Sequence, residues 1–444
     1  MKEPASAGSF FLAPSGESVC MRRSRRRRTE APPSAPLSPA LAGVLVFLSM
    51  LSSTLLIPAF RPFFAATHPT AEGGMFLFMS VNMLGAIIGA PLLTAVADAT
   101  GKRSLVLMVA AVVDGALLFV CSLPLDLGLV LFLRTIQGAA NVAAVSLLMG
   151  LTTARGVPVT GGATIAAIAV GAPLGVLLLP FGPEVPLQVG AMLPIVVAIA
   201  VGALQPGRAP DAQPRRRPRF ADVARALPAG LFVFAERLAI GLFIVPFSLL
   251  CHEVRGFDDA LVGRLFSAFL VPFAVATALW PRLGIKPVVA VVGGGVTYAL
   301  ALVAAARIDA LWPLVVVLVV GGIGAAGVYG PSLRSVARLV PVGRVGAAMG
   351  VVNALGALGM LLGSGGAGAL TRAGAAAGAS RADSLTRSFD VAAVSLLVLV
   401  AVGAPLLRRA LATVDAGGSD APGDAVVDAA AAAAAGAADA KTAP

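Results

Sequence analysis

The sequence predicts an all-α membrane protein with twelve transmembrane helices in two pseudo-symmetric six-helix halves. Three observations predict this fold class: an apolar composition, twelve apolar runs long enough to cross a bilayer, and short similarities between the two halves of the chain. Of the 444 residues, 58% are hydrophobic and only 12% are charged. This composition excludes a soluble domain and a disordered chain.

Each apolar run is about 19 to 26 residues long, which is enough to cross a hydrocarbon core of roughly 30 Å as a helix. The connecting loops are short, except for two longer ones at 205–227 and 371–388. The predicted spans are 40–60, 75–97, 104–123, 127–152, 162–182, 186–204, 228–250, 261–280, 287–306, 311–333, 345–370 and 389–407.

The segments outside the spans divide the chain into five parts. Six arginines lie between Arg22 and Arg28, and Met21 directly before them is an alternative start to Met1. A secretory signal also places positive charge before an apolar run, but the first run is longer than a signal core and many further spans follow it. The final residues lack a hydrophobic face, which predicts disorder. The predicted parts are 1–37 (disordered basic cytoplasmic tail), 38–204 (N-terminal half), 205–227 (basic cytoplasmic linker), 228–410 (C-terminal half) and 411–444 (disordered Ala/Asp-rich tail).

Lys and Arg residues are distributed unevenly between the two sides of the predicted membrane. With the N-terminus inside, the cytoplasmic segments carry 22 of these residues and the opposite side carries seven. Positive loops are retained in the cytoplasm, so we expect a multi-pass protein of a bacterial-type inner (plasma) membrane with both termini cytoplasmic. The same bias explains the formal net charge of +11, and we therefore expect no nucleic-acid partner.

Three short similarities relate the two halves at nearly the same spacing. They join the first span to the seventh, the fourth to the tenth, and the loop after the second span to the loop after the eighth. Such offsets in matching spans indicate six-helix halves related by duplication. The pairs are Ala42-Gly43 with Ala229-Gly230 (187 residues apart), Gly138 with Gly324 (186) and Gly101 with Gly284 (183).

A charged segment between the second and third spans reads Thr94-x-x-x-Asp98-x-x-Gly101-Lys102-Arg103. It resembles the loop between helices 2 and 3 of the major facilitator superfamily, where the pattern is Gly-x-x-x-Asp-Arg-x-Gly-Arg-Arg/Lys. Thr94 stands where that family has Gly, and Ala99 stands where it has Arg. The resemblance implies a twelve-helix secondary transporter, similar to drug/proton antiporters.

The same resemblance implies that Asp98, Gly101, Lys102 and Arg103 form a conformational latch. We expect Asp98 to contact the start of the eleventh helix when the cytoplasmic side is closed. A carboxylate at a helix N-terminus gains about 0.3–1 kcal/mol from the helix dipole, and up to ~2 when partly buried. The alternative is that Asp98 ends the second helix and is solvated.

The fourth span carries a second similarity to the family, in Arg134-x-x-Gln137-Gly138. Arg134, Gln137 and Asn141 are spaced i, i+3, i+7 and share one helix face. An arginine within a span costs about 2.5–3.5 kcal/mol on insertion scales, so it should face a cavity or a partner rather than lipid. We expect these three residues and Asn353 to line a substrate cavity. The alternative is a structural arginine that its neighbours satisfy.

Gly171, Pro173 and Gly175 in the fifth span resemble a degraded form of the Gly-Pro signature of exporters in this superfamily. The resemblance favours export. The alternative is a kink that only permits close helix packing.

Three further ionisable residues lie inside spans: Asp114, Glu236 and Arg237. A carboxylate in a low-dielectric setting binds a proton more readily than one in water. We therefore expect Glu236, with Asp114 and Arg134, to carry coupling protons, and Glu236 to face the cavity while Arg237 packs against a neighbouring helix. The alternatives are a permanent Glu236–Arg237 structural pair and an Asp114 that Arg134 neutralises.

The sequence shows no metal-ligand spacing among its cysteines and histidines and no nucleotide-binding loop. We therefore expect no metal, no cofactor and no enzymatic activity, with an ion gradient as the energy source. The sequence favours proton-coupled efflux of a small organic or drug-like compound by alternating access, in a monomer whose partners are that compound and the lipid bilayer. The alternatives are proton-coupled uptake of a metabolite and a non-transporting membrane sensor or scaffold.

Overall fold

The computed structural model of the protein describes residues 37–68, 74–154, 156–204, 223–341 and 344–416. The predicted tail at 1–37 lies outside these residues except for Leu37, and so does most of the linker 205–227 and of the tail 411–444. Within the described residues the chain is helical and forms no β-strand. Twelve helices are long and apolar enough to cross a membrane, which confirms the predicted all-α fold class and the number of spans.

The spanning helices are labelled here in chain order, and a short helix at Phe60–Thr67 lies between the first two. Their bounds are α1 Pro39–Thr54, α2 Gly74–Thr100, α3 Arg103–Val120, α4 Leu127–Gly150, α5 Val157–Leu178, α6 Val185–Leu204, α7 Leu227–Leu249, α8 Asp259–Leu279, α9 Pro287–Arg307, α10 Leu311–Leu339, α11 Val345–Ala376 and α12 Arg381–Ala416.

Polar side chains begin several of these helices where the chain enters the membrane. Ser38 caps α1 by accepting a hydrogen bond from the backbone N–H of Leu41, and Asp126 caps α4 by accepting from that of Gly128 at 2.8 Å. Asp258 does the same for α8. Each cap satisfies a backbone donor that the helix itself leaves without a partner.

The two halves, α1–α6 and α7–α12, pack in the same way. In the first half α1 packs against α5, α2 against α4, and α3 against α6. In the second half α7 packs against α11, α8 against α10, and α9 against α12. Every pair recurs six helices later, as duplication of a six-helix unit requires.

Two of the three sequence similarities correspond to equivalent positions. Gly43 of α1 faces α5 at Val159, and Gly230 of α7 faces α11 at Leu355. Gly101 and Gly284 both adopt a φ of 65° in the turns that follow α2 and α8. Glycine reaches this left-handed conformation without the steric penalty that a Cβ imposes, which is why both turns carry it.

The third similarity is two residues out of register. Gly138 of α4 packs against the backbone of Asn82 in α2, but Gly324 of α10 packs against α9 at Tyr298. The equivalent contact, between α10 and the backbone of Phe269 in α8, is made by Gly322. A run of small residues supports several registers in sequence, and only the packing selects among them.

The halves meet near the face of the bundle where α1 begins and α12 ends, called here the terminal face. A Cβ placed on Gly150 of α4 would lie 2.7 Å from the Cα of Gly346 in α11. Nearby, Asn353 of α11 donates a hydrogen bond to the hydroxyl of Ser146 in α4 at 2.9 Å. Between α5 and α10, Gly161 faces the ring of Tyr329. We call these three contacts the gate.

The conformation is closed at the terminal face, where the gate joins the two halves.

The lengths of α11 and α12 correct two predictions. α11 continues to Ala376 and α12 begins at Arg381, so the predicted loop 371–388 is reduced to four residues. α12 also continues to Ala416, so residues 411–416, which the sequence assigned to the tail, are helical. Hydropathy detects only the apolar middle of a helix. The polar ends are held by ion pairs, from Arg381 to Glu253 at 2.6 Å and from Arg338 to Asp415 at 3.2 Å.

Candidate functional site

Five buried polar residues form a connected group inside the N-terminal half, called here the N-half cluster. Gln137 lies at its centre and bridges the two charged members. Its side-chain oxygen accepts hydrogen bonds from Arg134 and from Asn82, the latter at 2.9 Å, and its side-chain nitrogen donates to Asp114. Asn141 donates to the other oxygen of Asp114 at 2.8 Å. The cluster joins α2, α3 and α4.

The N-half cluster is sealed in this conformation. Asp114 and Gln137 have no exposed surface, and Arg134 is 1% exposed. The guanidinium of Arg134 lies 4.7 Å from the centre of the Phe78 ring, and Asn141 also donates to the backbone oxygen of Ser49 in α1 at 3.2 Å. The predicted polar row of α4 therefore faces the interior of its own half, and its contribution to a substrate cavity stays a prediction.

A second group of four residues lies in the C-terminal half, called here the C-half cluster. It consists of Glu236 and Arg237 of α7, Tyr298 of α9 and Tyr329 of α10. The Nε of Arg237 lies 3.4 Å from a carboxylate oxygen of Glu236, and its guanidinium lies 4.9 Å from the centre of the Tyr329 ring. Glu236 and Tyr298 are close enough to interact electrostatically.

The orientation of Glu236 differs from the expectation. Its side chain has no exposed surface, so it does not face an open cavity. The stem of Arg237 lies close to Gly356 and Gly359 of α11, and 15% of its side-chain surface is exposed. The reason lies in the helix geometry, because neighbouring residues point about 100° apart. In α7 this difference points Glu236 into the interior of the C-terminal half and Arg237 toward the edge of that half.

Each cluster contains one acidic and one basic side chain, so each is neutral when both are ionised. Neither carboxylate oxygen of Glu236 nor the hydroxyl of Tyr298 has a hydrogen-bond partner among the described residues. Protonation of Asp114 or of Glu236 would leave a net positive charge within the bundle. A buried charge without a counter-charge is strongly unfavourable.

The segment predicted to form a latch lies at the terminal face. Asp98 pairs with Arg103 at 2.7 Å, and the backbone N–H of Ala347, in the first turn of α11, interacts with its carboxylate. Thr94 packs against Gly350 of α11, while Lys102 is exposed. The structure thus places Asp98 between its own loop and the other half, and its function as a latch stays a prediction.

The glycines of the predicted exporter segment pack against the C-terminal end of α1. A Cβ on Gly171 would overlap the side chain of Thr54, and one on Gly175 would overlap the backbone of Leu55. Pro173 lies inside the continuous helix α5 and is exposed. The close contact with α1 accounts for both glycines. The link of this segment to export stays a prediction.

The predicted site residues therefore fall into separate places. Asp114, Arg134, Gln137 and Asn141 come together in the N-half cluster, Glu236 lies in the C-half cluster, and Asn353 belongs to the gate. The sequence analysis missed Asn82, Ser146, Tyr298 and Tyr329. For Asn82, Tyr298 and Tyr329 the available signal was the rarity of their residue types, because the whole chain has three asparagines and two tyrosines. All five lie in spanning helices. The three asparagines donate hydrogen bonds to polar or charged side chains, and the ring of Tyr329 lies 4.9 Å from the guanidinium of Arg237.

Comparisons with known proteins support the fold. No protein-family model matches the sequence, and no curated protein matches it. Among solved structures, the chain is similar to the human organic anion transporter MFSD10 (TETRAN), with a TM-score of 0.67 and 18% sequence identity. The match covers 83% of this chain and 98% of that one. At this identity the likeness shows the fold alone: the chain has the major facilitator fold, as the sequence resemblance implied.

Proposed function

We propose that this chain is a secondary active transporter that couples the movement of a small organic or drug-like compound to protons by alternating access. The observation that carries the proposal is the presence of one buried carboxylate and one nearby arginine inside each half. A scaffold gains nothing from such groups, because each charged side chain within a span costs about 2.5–3.5 kcal/mol on insertion scales. In transporters, ionisable residues within spans mark proton and substrate pathways.

Asp114 and Glu236 are the proposed proton carriers. When Asp114 is ionised, its charge balances Arg134 through Gln137, and the N-half cluster is stable in a sealed bundle. When Asp114 takes up a proton, the charge of Arg134 is no longer balanced, and the sealed arrangement becomes unfavourable. In the C-half cluster, protonation of Glu236 would remove the charge that balances Arg237. Proton binding thereby shifts the equilibrium between conformations.

The gate is the proposed moving part of the alternating-access cycle. The substrate enters between the halves from the side opposite the gate, that side closes, and the gate then opens at the terminal face. Asp98 stabilises the closed gate through its interaction with the start of α11. A bias of up to ~2 kcal/mol from a carboxylate at a helix N-terminus favours the closed state without preventing opening.

The terminal face is proposed to be cytoplasmic, which places both termini in the cytoplasm of a bacterial-type inner (plasma) membrane. The excess of Lys and Arg on this side supports that orientation. Export is the proposed direction, on the strength of the segment at Gly171 and Pro173. The protein is proposed to work as a monomer without a cofactor.

A second mode is favoured by the charge balance of the two clusters. Protonation makes each cluster positive, so a proton and an anion together keep it neutral. An organic anion would then move with a proton, by symport. The similar human protein is an organic anion transporter, and organic anions are therefore the first substrate class to test.

Purified protein in liposomes tests the proposal. Compounds are loaded on one side without a pH gradient, and the internal pH is followed with a trapped indicator. Antiport moves protons against the direction of the compound, and symport moves them with it. The Glu236→Gln variant should carry the compound without moving protons. If no compound in a panel of organic anions, cations and neutral molecules moves through the unmodified protein, the proposed function is wrong.

A further inference from the structure

We infer that the protein binds one anionic phospholipid on its membrane-facing surface, with an acyl chain in a groove between the two halves and the headgroup at Arg282 and Lys286. The inference goes beyond the proposed transport function and does not depend on it. It is carried by the groove itself, by the side of the bundle that the groove faces, and by the charges at its end.

The groove, called here the lateral groove, has a volume of about 380 Å³ and apolar walls. It is formed by α1 and α5 of the N-terminal half and by α8 of the C-terminal half, so it spans the two halves. Each of the three helices contributes small residues, and larger apolar residues lie among them. The walls include Ala40, Gly43, Phe47, Val159, Ala163 and Val275.

The lateral groove faces lipid rather than the space between the halves. Gly161 of α5 faces Tyr329 across the gate, and successive residues of a helix point about 100° apart. Ala163, which lines the groove, therefore points about 200° away from Gly161. In α8 the same separation holds between the lining residue Val275 and Thr277, which is fully buried beside Gly161. Both walls thus turn away from the gate.

The lateral groove lies in the leaflet at the terminal face. Ala40 and Phe47, which line it, are the second and ninth residues of α1, and seven residues extend about 10 Å along a helix. The hydrocarbon of one leaflet is about 15 Å thick. Val44 and Val275, one from each half, line the groove and are 55% and 52% exposed, so the groove is open to the bilayer. An acyl chain therefore has the polarity, the reach and the access that this groove requires.

Basic residues lie at the level where the headgroup of such a lipid would be. Trp280, two residues beyond the lining residue Ala278, is partly exposed, and tryptophan is enriched at the membrane–water interface. Arg282 and Lys286 follow in the turn between α8 and α9, and both are exposed. The segments 37–47, 151–166 and 274–287, which supply the groove and its end, contain no Asp or Glu. This end of the groove is thus basic and complements a negative headgroup.

The headgroup supplies the selectivity of the site. Lipid tails are as apolar as the walls of the groove, so filling the groove does not by itself favour one phospholipid over another. A basic residue near the membrane surface strengthens binding to anionic lipid by about fivefold. Arg282 and Lys286 together should therefore favour phosphatidylglycerol over phosphatidylcholine by roughly twenty-five-fold.

A lipid held in the lateral groove contacts both halves at once. The groove exists because α5 and α8 are close together: a Cβ on Gly162 of α5 would lie 2.7 Å from the backbone oxygen of Ala274 in α8. A ligand that binds one conformation better than another shifts the equilibrium toward it. The bound lipid should therefore favour the conformation in which the gate is closed.

The test is a titration of the purified full-length protein in detergent with dioleoyl phosphatidylglycerol, followed by native mass spectrometry, which counts the lipids retained. We expect the first phosphatidylglycerol to bind more tightly than any later one, and phosphatidylcholine to bind roughly twenty-five-fold more weakly. Glycerophosphoglycerol, which is the headgroup without acyl chains, should not displace the lipid, because it leaves the groove unfilled.

Two variants address the two parts of the site. Ala163→Phe fills the groove and should weaken binding of phosphatidylglycerol at least tenfold. Arg282→Gln combined with Lys286→Gln should weaken it by roughly twenty-five-fold and leave phosphatidylcholine unaffected.

Each variant has a matched control that should bind like the unmodified protein. Ile199→Phe changes an apolar residue of α6 that is 65% exposed and lies outside the groove. Arg408→Gln combined with Arg409→Gln removes two exposed charges from α12 on the same face.

The inference is wrong if either site variant retains phosphatidylglycerol as the unmodified protein does, since the bound lipid is then only part of the general lipid shell. An equal loss in the α12 control would attribute the binding to the net charge of the face, and displacement by glycerophosphoglycerol would assign the basic residues to a soluble phosphate; both results contradict the site. Because binding is measured without transport, these results leave the proposed function untouched, and a protein that moves no compound in liposomes would leave the lipid site in place.

Discussion

The two charges of the N-half cluster should stabilise each other. Removing both should therefore destabilise the protein by less than the sum of the losses from removing each charge alone. Asp114→Asn leaves Arg134 buried without a counter-charge, and Arg134→Gln does the same to Asp114. Each change also disturbs the hydrogen bonds to Gln137, which accepts from Arg134 and donates to Asp114. The double variant keeps amide groups at both positions and leaves no net charge.

The magnitude follows from the separation of the charges. One amide group and two hydrogen bonds hold the carboxylate and the guanidinium roughly 7 Å apart. At an effective dielectric constant of about 20 their attraction is then about 2 kcal/mol. The loss in the double variant should therefore be about 2 kcal/mol smaller than the sum of the two single losses. For a chain of this length that difference corresponds to roughly 2–4 °C in Tm.

Thermal unfolding of the four proteins in detergent completes this double-mutant cycle. Asp114→Asn combined with Arg237→Gln, whose arginine lies in the other half, provides a control cycle that should be additive, because distant sites do not couple. If the losses from Asp114→Asn and Arg134→Gln also add, the two charges do not balance each other through Gln137. The proposed link between proton binding and conformation in that half would then be wrong.

Three further predictions concern the gate and proton coupling. Gly150→Leu should open the gate, because a Cβ at this position would lie 2.7 Å from Gly346 and overpacking costs about 1–3 kcal/mol; a cysteine placed at Ser146 should then react faster with a thiol reagent, and an unchanged rate would refute the close contact. Asp98→Asn should raise the same labelling rate by up to roughly thirtyfold if the carboxylate stabilises the closed gate, whereas a solvated Asp98 would leave it unchanged. Glu236→Gln should abolish transport driven by a pH gradient but retain substrate exchange, and gradient-driven transport at the normal rate would exclude Glu236 as a proton carrier.

The positions of the spanning helices along the chain could be predicted, because each depends on local properties of the sequence. A run of about 20 apolar residues is a membrane span whatever its neighbours are, and the twelve runs were found on that basis. Duplication was also visible at Gly101 and Gly284, because a left-handed turn needs glycine in both halves. The same reasoning failed at Gly324. Small residues fill several neighbouring positions of α10, and the contact with α8 selects Gly322.

The candidate site was predictable in its charges but not in its contacts. Asp114, Arg134 and Glu236 stood out because charged residues inside spans are costly and therefore rare. Their partners belong to other helices, and no spacing in the chain shows that Gln137 would lie between Asp114 and Arg134.

The sequence by itself determined which segments cross the membrane, how many there are and which of them carry charge, since each of these properties follows from residues that are close together in the chain. Only the tertiary structure decided which side chains share a cluster and how far each charged side chain is buried. Glu236 and Arg237 are neighbours in sequence, yet the side chain of Glu236 has no exposed surface and that of Arg237 is 15% exposed. Their difference depends on the direction in which α7 faces its neighbours, and the packing of the whole bundle sets that direction.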